Sequence, residues 1–91
     1  MNDKAFFASV VHLIAELQDD SETVEPLRDP VRGPEVNLFD AGLLESLTVV
    51  RLLRAIETEF GVQVPVERYG MEDFFTLRSI RQVVEPLLSG S

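Results

Sequence analysis

Apolar side chains recur at helical spacing over residues 3–18, at Phe6, Phe7, Val10, Leu13, Ile14 and Leu17. This predicts an amphipathic first helix ending near Asp19 and Asp20. Residues 19–45 show no sustained period and contain Pro26, Pro30, Pro34, Gly33 and Gly42. Connections longer than about 12–15 residues are uncommon in compact domains and tend to be functional or mobile. Leu38, Phe39, Leu43 and Leu44 should pin the end of this loop onto the core, so the approach to Ser46 is expected to be ordered whether or not residues 19–36 are. The strongest helix follows, from about Ser46 to Phe60. At 100° per residue Val49, Leu52, Leu53, Ile56 and Phe60 form one stripe, while Leu47, Arg51, Arg54 and Thr58 cluster opposite. Gly61 stops it. Val62, Val64 and Val66 then alternate, but a lone strand would have no partner, which predicts an extended connector burying alternate valines. A short turn of helix is expected near Met71–Phe75, anchored by Phe74 and Phe75. Thr76 then caps a last helix through Leu77, Ile80, Val83, Val84 and Leu87, ended by Pro86 and Gly90, with about 87–91 as a loose tail. The expected fold is all-α: a small four-helix bundle of three main helices and one short one, with a long loop between the first two.

Composition narrows what such a bundle does. The 91 residues hold 16 acidic and 8 basic side chains, one His, no Cys and no Trp, and 45% are hydrophobic. That length suits one domain. Without cysteine there is no disulfide scaffold, thiolate metal site or Cys nucleophile. A net charge of −8 argues against nucleic acid, whose phosphates demand Lys and Arg. No apolar run approaches the ~20 residues needed to cross a bilayer, and the N-terminus lacks a secretory pattern. The expectation is a soluble, cytoplasmic, monomeric domain. The charge is uneven: residues 16–45 carry nine acids against only Arg28 and Arg32. A run like this reads either as a solvated loop or as a surface that steers a basic partner.

Most enzymatic constellations fail on inventory. The single His12 lies between apolar neighbours in the first helix and reads as structural. No nucleophile elbow, phosphate-binding loop or dinucleotide fingerprint is present. Asp19, Asp20 and Glu22 lack the Gly and terminal Glu of a calcium loop. The chain is therefore expected to be no enzyme and to hold no metal. What stands out is the segment from Asn37 to Leu47, which runs straight into the best helix and places Ser46 in its first turn. As a bland alternative, Ser46 is only a helix cap and the chain a non-catalytic acidic adaptor that binds a partner through Leu47, Arg51 and Arg54. Against that stands the chemistry of helix starts: free N–H groups and the positive dipole end favour an anion, so a phosphodiester on Ser46 would be well accommodated.

The stretch Leu38-Phe39-Asp40-Ala41-Gly42-Leu43-Leu44-Glu45-Ser46-Leu47 resembles the prosthetic-group site of the acyl and peptidyl carrier protein family. The resemblance continues through Leu52–Phe60 into Gly61-Val62-Gln63-Val64-Pro65, and again at Phe74-Phe75-Thr76-Leu77-Arg78-Ser79-Ile80, covering about residues 37–84. It implies that Ser46 receives 4′-phosphopantetheine from coenzyme A through a phosphopantetheinyl transferase. An adenylate-forming ligase would then load an acyl or aminoacyl group as a thioester, for downstream enzymes to use. It further implies a contact surface of Leu47, Val50, Arg51 and Arg54 beside Ser46. Glu45 stands where the family usually has Asp, keeping the charge but carrying it one methylene further out. Arg51 and Arg54 lie on a face often acidic in carriers of fatty-acid synthesis. The Gly-Leu-Leu-x-Ser-Leu-Thr-Val-Val segment looks closer to free-standing D-alanyl or other aminoacyl carriers.

Overall fold

The computed structural model describes residues 2–20 and 22–89. Three α-helices account for the regular structure: α1 (Asp3–Gln18), α2 (Ser46–Phe60) and α3 (Leu77–Ser89). Four 3-10 turns join them, at Glu25–Arg28, Gly33–Glu35, Val66–Arg68 and Met71–Phe74. The all-α expectation holds. The short fourth helix is the four-residue 3-10 turn at Met71–Phe74, tightened because the Gly70 N–H donates to the Asp73 carboxylate at 2.9 Å.

α1 starts where the Asn2 side chain accepts the Ala5 N–H at 2.8 Å and ends at Asp19, which takes up a left-handed conformation. Its buried stripe of Phe6, Val10, Val11, Leu13 and Ile14 packs against both other helices. From α2 it meets Val49, Leu52, Leu53 and Ile56; Phe60 stacks on Phe6 with centroids 5.3 Å apart. α3 contributes Leu77, Ile80, Val83 and Val84 to the same core. Thr76 caps α3 as expected: its Oγ1 accepts the Ser79 N–H at 3.0 Å, and Ser79 Oγ accepts the Thr76 N–H at 3.1 Å.

Three expectations change, and one question left open is answered. α3 does not stop at Pro86 but continues to Ser89, with Leu87 and Leu88 half-buried against the core where residues 87–89 read as loose tail. Pro86 deletes one N–H donor late in the helix, and burial of the two leucines offsets that loss. Residues 90 and 91 of that tail lie outside the described residues. His12 is on the solvent face and pairs with Glu16 at 3.3 Å, since the buried stripe passes beside it. Of the alternating valines only Val64 is buried; Val66 opens a 3-10 turn and is exposed. Finally, the described part of 19–36 is well packed, with Val24 and Leu27 buried. Gly33 lets the two turns there touch, because a Cβ on it would lie 2.1 Å from the Leu27 carbonyl oxygen. The Arg78 guanidinium adds an ion pair to Glu35 across this junction. Among the described residues, no helix is long and apolar enough to cross a membrane.

Candidate functional site

The loop into α2 is built around Asn37 and Leu38. Asn37 Oδ1 accepts the N–H groups of Phe39 and Asp40, both at 3.0 Å, and the Asn37 carbonyl accepts that of Ala41. An Asn so placed folds the chain back on itself without needing a distant partner. Leu38 is fully buried. Its N–H donates to the Phe75 carbonyl at 2.6 Å, and its own carbonyl accepts from Leu43 and Leu44 at 2.9 and 3.2 Å. Gly42 makes the reversal between these bonds at φ +76°, a left-handed conformation that favours glycine. Leu43 and Leu44 are buried, as expected, and Gln18 at the end of α1 donates its amide to the Leu43 carbonyl at 2.7 Å. Phe39 meets Phe75 edge to face at 5.2 Å. The loop is thereby clamped to α1 on one side and to the start of α3 on the other. Asn37 opens the segment that the sequence singled out, but its part in folding the loop was not foreseen. Its signal is a turn-forming Asn directly before an apolar pair.

Ser46 is exposed and occupies the first position of α2 rather than the cap. Glu45 is the cap residue, extended at φ −141° and ψ 176°, and its side chain makes no capping hydrogen bond. The first bond of the helix runs from the Val49 N–H to the Glu45 carbonyl at 2.9 Å. The N–H groups of Ser46, Leu47 and Thr48 therefore have no partner in the helix. The Ser46 hydroxyl accepts none of them, so the cap-only reading lacks the bond it requires. A free, solvent-facing hydroxyl beside open N–H groups at the positive end of a helix suits a phosphodiester, because the incoming negative charge meets both.

Of the other predicted residues, Glu45, Leu47, Val50, Arg51 and Arg54 are all exposed and close to Ser46 along α2. An open groove of about 390 Å³ starts at Ser46 and passes Val50 and Arg54 on α2, with Val66, Tyr69 and Met71 opposite. The last three were not picked out in the sequence. A larger hollow of about 480 Å³ lies away from Ser46, between α1 and the 3-10 turns of the loop. Its two arginines are already paired, Arg28 with Glu25 and Arg78 with Glu35, and it offers no serine. The smaller groove is the one that Ser46 lines.

Comparison with known proteins bears on the family. A D-alanyl carrier protein of Streptococcus equi subsp. zooepidemicus is 45% identical over 51 residues, 56% of this chain and 65% of the relative. One of Streptococcus pyogenes serotype M1 is 43% identical over the same length. The D-alanyl carrier protein of Enterococcus faecalis is 39% identical over 66 residues, covering 72% of this chain and 85% of the relative. The chain thus spans just under two thirds of the streptococcal relatives. The model of the family described as "Phosphopantetheine attachment site" matches residues 13–86, a stretch that includes the loop, the free serine and the groove, and the chain belongs to that family.

Proposed function

We propose that this chain is a carrier protein, not an enzyme, and that Ser46 bears its 4′-phosphopantetheine arm. The observation that carries the reading is the Ser46 hydroxyl, exposed and unbonded at the open start of α2. In the attachment reaction its oxygen attacks the pantetheine-side phosphorus of coenzyme A. The phosphoanhydride bond breaks, adenosine 3′,5′-bisphosphate leaves, and the serine proton passes to a base on the transferase. Once attached, the arm supplies a thiol that holds an acyl or aminoacyl group as a thioester. The chain's own part is positional. The Ser46, Leu47 and Thr48 N–H groups face the new phosphodiester, and the clamped loop fixes its root. Glu45 keeps a carboxylate next to the modified residue for the transferase to recognise. Leu47, Val50, Arg51 and Arg54 form the contact face for partner enzymes, and tethering raises the effective concentration of the load at whichever enzyme has docked.

The names of the relatives favour an aminoacyl load, consistent with a cytoplasmic carrier served by an adenylate-forming ligase. The test is intact-protein mass spectrometry after incubation with coenzyme A, magnesium and a promiscuous phosphopantetheinyl transferase, followed by fragment mapping. One phosphopantetheinyl increment on Ser46 is expected. An increment on another residue, or none with transferases from two sources, overturns the assignment.

A further inference from the structure

An arm that carries an aminoacyl thioester also endangers its load, because the thioester carbonyl is open to any amine or thiol that the tether can bring to it. The chain holds few such groups. It has no Cys, and of its eight Lys and Arg residues seven are arginine, with Lys4 the single lysine. A guanidinium keeps its proton at every ordinary pH and is no nucleophile, whereas a lysine amine attacks once it is deprotonated.

The fold places these groups unequally about Ser46. An extended arm reaches about 17 Å. At about 1.5 Å of rise per residue, Arg51 lies about 8 Å and Arg54 about 12 Å along α2 from Ser46, both exposed and well inside that reach. Arg68 is exposed too, and its neighbours Val66 and Tyr69 line the groove that begins at Ser46. Lys4 is at the other end of the protein. α1 runs antiparallel to α2, since Gln18 bonds the Leu43 carbonyl while Phe6 stacks on Phe60. Phe60 is already about 21 Å along α2 from Ser46. Lys4 lies half a turn beyond Phe6, beside a hollow that α1, the loop and Arg78 line and α2 does not. His12 is held by Glu16 at 3.3 Å, and an acyl group on imidazole passes on to water without leaving an amide.

We infer that the surface within the arm's reach is free of lysine amines for the sake of the load: Arg51, Arg54 and Arg68 supply positive charge there without capturing it, and a lysine at position 51 or 54 turns the carrier against its own cargo. The inference rests on the reading of Ser46 given above and on an aminoacyl load. The step avoided is a transfer from sulfur to nitrogen. A lysine nitrogen attacks the thioester carbonyl, the carbon–sulfur bond breaks, and the arm leaves as a thiol, taking up the proton that the nitrogen loses. The amide left on the side chain is more stable than the thioester, so the load is lost for good. Tethering gives the load an effective concentration on the order of millimolar at these positions, so capture within one molecule outpaces capture between molecules in dilute solution.

The probe is D-alanyl-coenzyme A, from which a promiscuous phosphopantetheinyl transferase installs arm and load together on wild type, R51K/R54K, R51Q/R54Q and K4R, as judged by mass. Each loaded protein is held at about pH 8.5, where roughly one lysine in a hundred is unprotonated. It is then treated with hydroxylamine, which cleaves thioesters and spares amides. Wild type, K4R and R51Q/R54Q should return to the unloaded mass. R51K/R54K should keep an alanyl increment, at least tenfold above any trace on wild type, that maps to position 51 or 54 and whose yield does not fall on dilution. A resistant increment on wild type comparable to that on R51K/R54K, or none on R51K/R54K, overturns the inference. A yield that falls with dilution overturns it too, by showing transfer between molecules. Failure of the arm to attach to wild type brings down the reading of Ser46 instead, a distinct result visible in the first mass spectrum.

Discussion

Replacing Ser46 with alanine separates the two roles a serine can play at a helix start. Removing the acceptor of a capping serine typically costs about 0.5–2 kcal/mol. Here that bond is absent: Glu45 holds the cap position, Ser46 lies one residue inside the helix, and its hydroxyl is exposed and accepts nothing. Truncation leaves no buried group unpaired and opens no cavity. The remaining contribution is helix propensity, which favours alanine over serine by up to roughly 0.5 kcal/mol in a helix interior and by less in the first turn. The expected change therefore lies between zero and about 0.5 kcal/mol in favour of Ser46→Ala, a rise in Tm of no more than about 3 °C. Urea unfolding followed by far-ultraviolet circular dichroism measures it, with an unchanged slope confirming that the same surface is exposed. The phosphopantetheinyl mass increment, measured in parallel, should vanish. A loss of 1 kcal/mol or more would refute the argument by showing that the hydroxyl holds the helix start. An increment surviving in the variant would move the attachment elsewhere.

Other perturbations follow from the loop and its supports. Leu38→Ala removes a fully buried side chain from the junction of the loop, α1 and α3 and should cost about 2–5 kcal/mol. Denaturant titration checks this, and a cost below 1 kcal/mol would mean the loop is not clamped there. Gly33→Ala should lower stability by about 1–3 kcal/mol, because the new methyl meets the Leu27 backbone, which has no rotamer through which to escape; its thermal midpoint should fall accordingly. The Asp29 carboxyl is held below its ordinary value of 3.8, by the N–H groups of Arg32 and then Val31, both donating at 2.8 Å. A depressed folded value means that this carboxylate stabilises the fold above the unfolded value and ceases to do so as pH falls through the folded one. Carbon-13 titration should place the Asp29 midpoint below 3.8, and Asp29→Ala should flatten the acid limb of the stability curve.

The extent to which the sequence disclosed the structure depended on which interactions decided each element. α1 and α2 are fixed by apolar stripes at a 3.6-residue period, and their observed ends fall where the pattern breaks, at Asp19 and Gly61. Thr76 was readable as a cap because its partner, Ser79, is three residues away. Val24 and Leu27 were not readable as core. They lie in no periodic run and are buried only because the two 3-10 turns close against α1 through the contact at Gly33. Pro86 signals a helix end locally, but the packing of Leu87 and Leu88 outweighs one missing hydrogen bond. At the candidate site, the family segment was legible as a motif and the exposure of Leu47, Arg51 and Arg54 from helical phase, while Val50 was named only through the resemblance. Whether Ser46 was cap or first residue was not, since the two differ by a single position. Val66, Tyr69 and Met71 were invisible as neighbours of Ser46 because only the tertiary fold brings their segment beside α2.

The clamp on the loop also sets a geometry for delivery. With Leu38, Leu43 and Leu44 buried, the root of an arm on Ser46 is a fixed pivot, and all the travel belongs to the arm. Roughly fourteen bonds separate the serine oxygen from the thiol, which at the advance per bond of an extended chain gives a reach of about 17 Å. The protein measures 34 × 27 × 21 Å along its principal axes, so the arm spans only half of the longest dimension. On the proposed attachment at Ser46, a load would be handed over only inside a cap of space around one end of α2. Enzymes sharing such an arm would have to take turns over that space, and the order in which a load is received and passed on would be set by which of them leaves first.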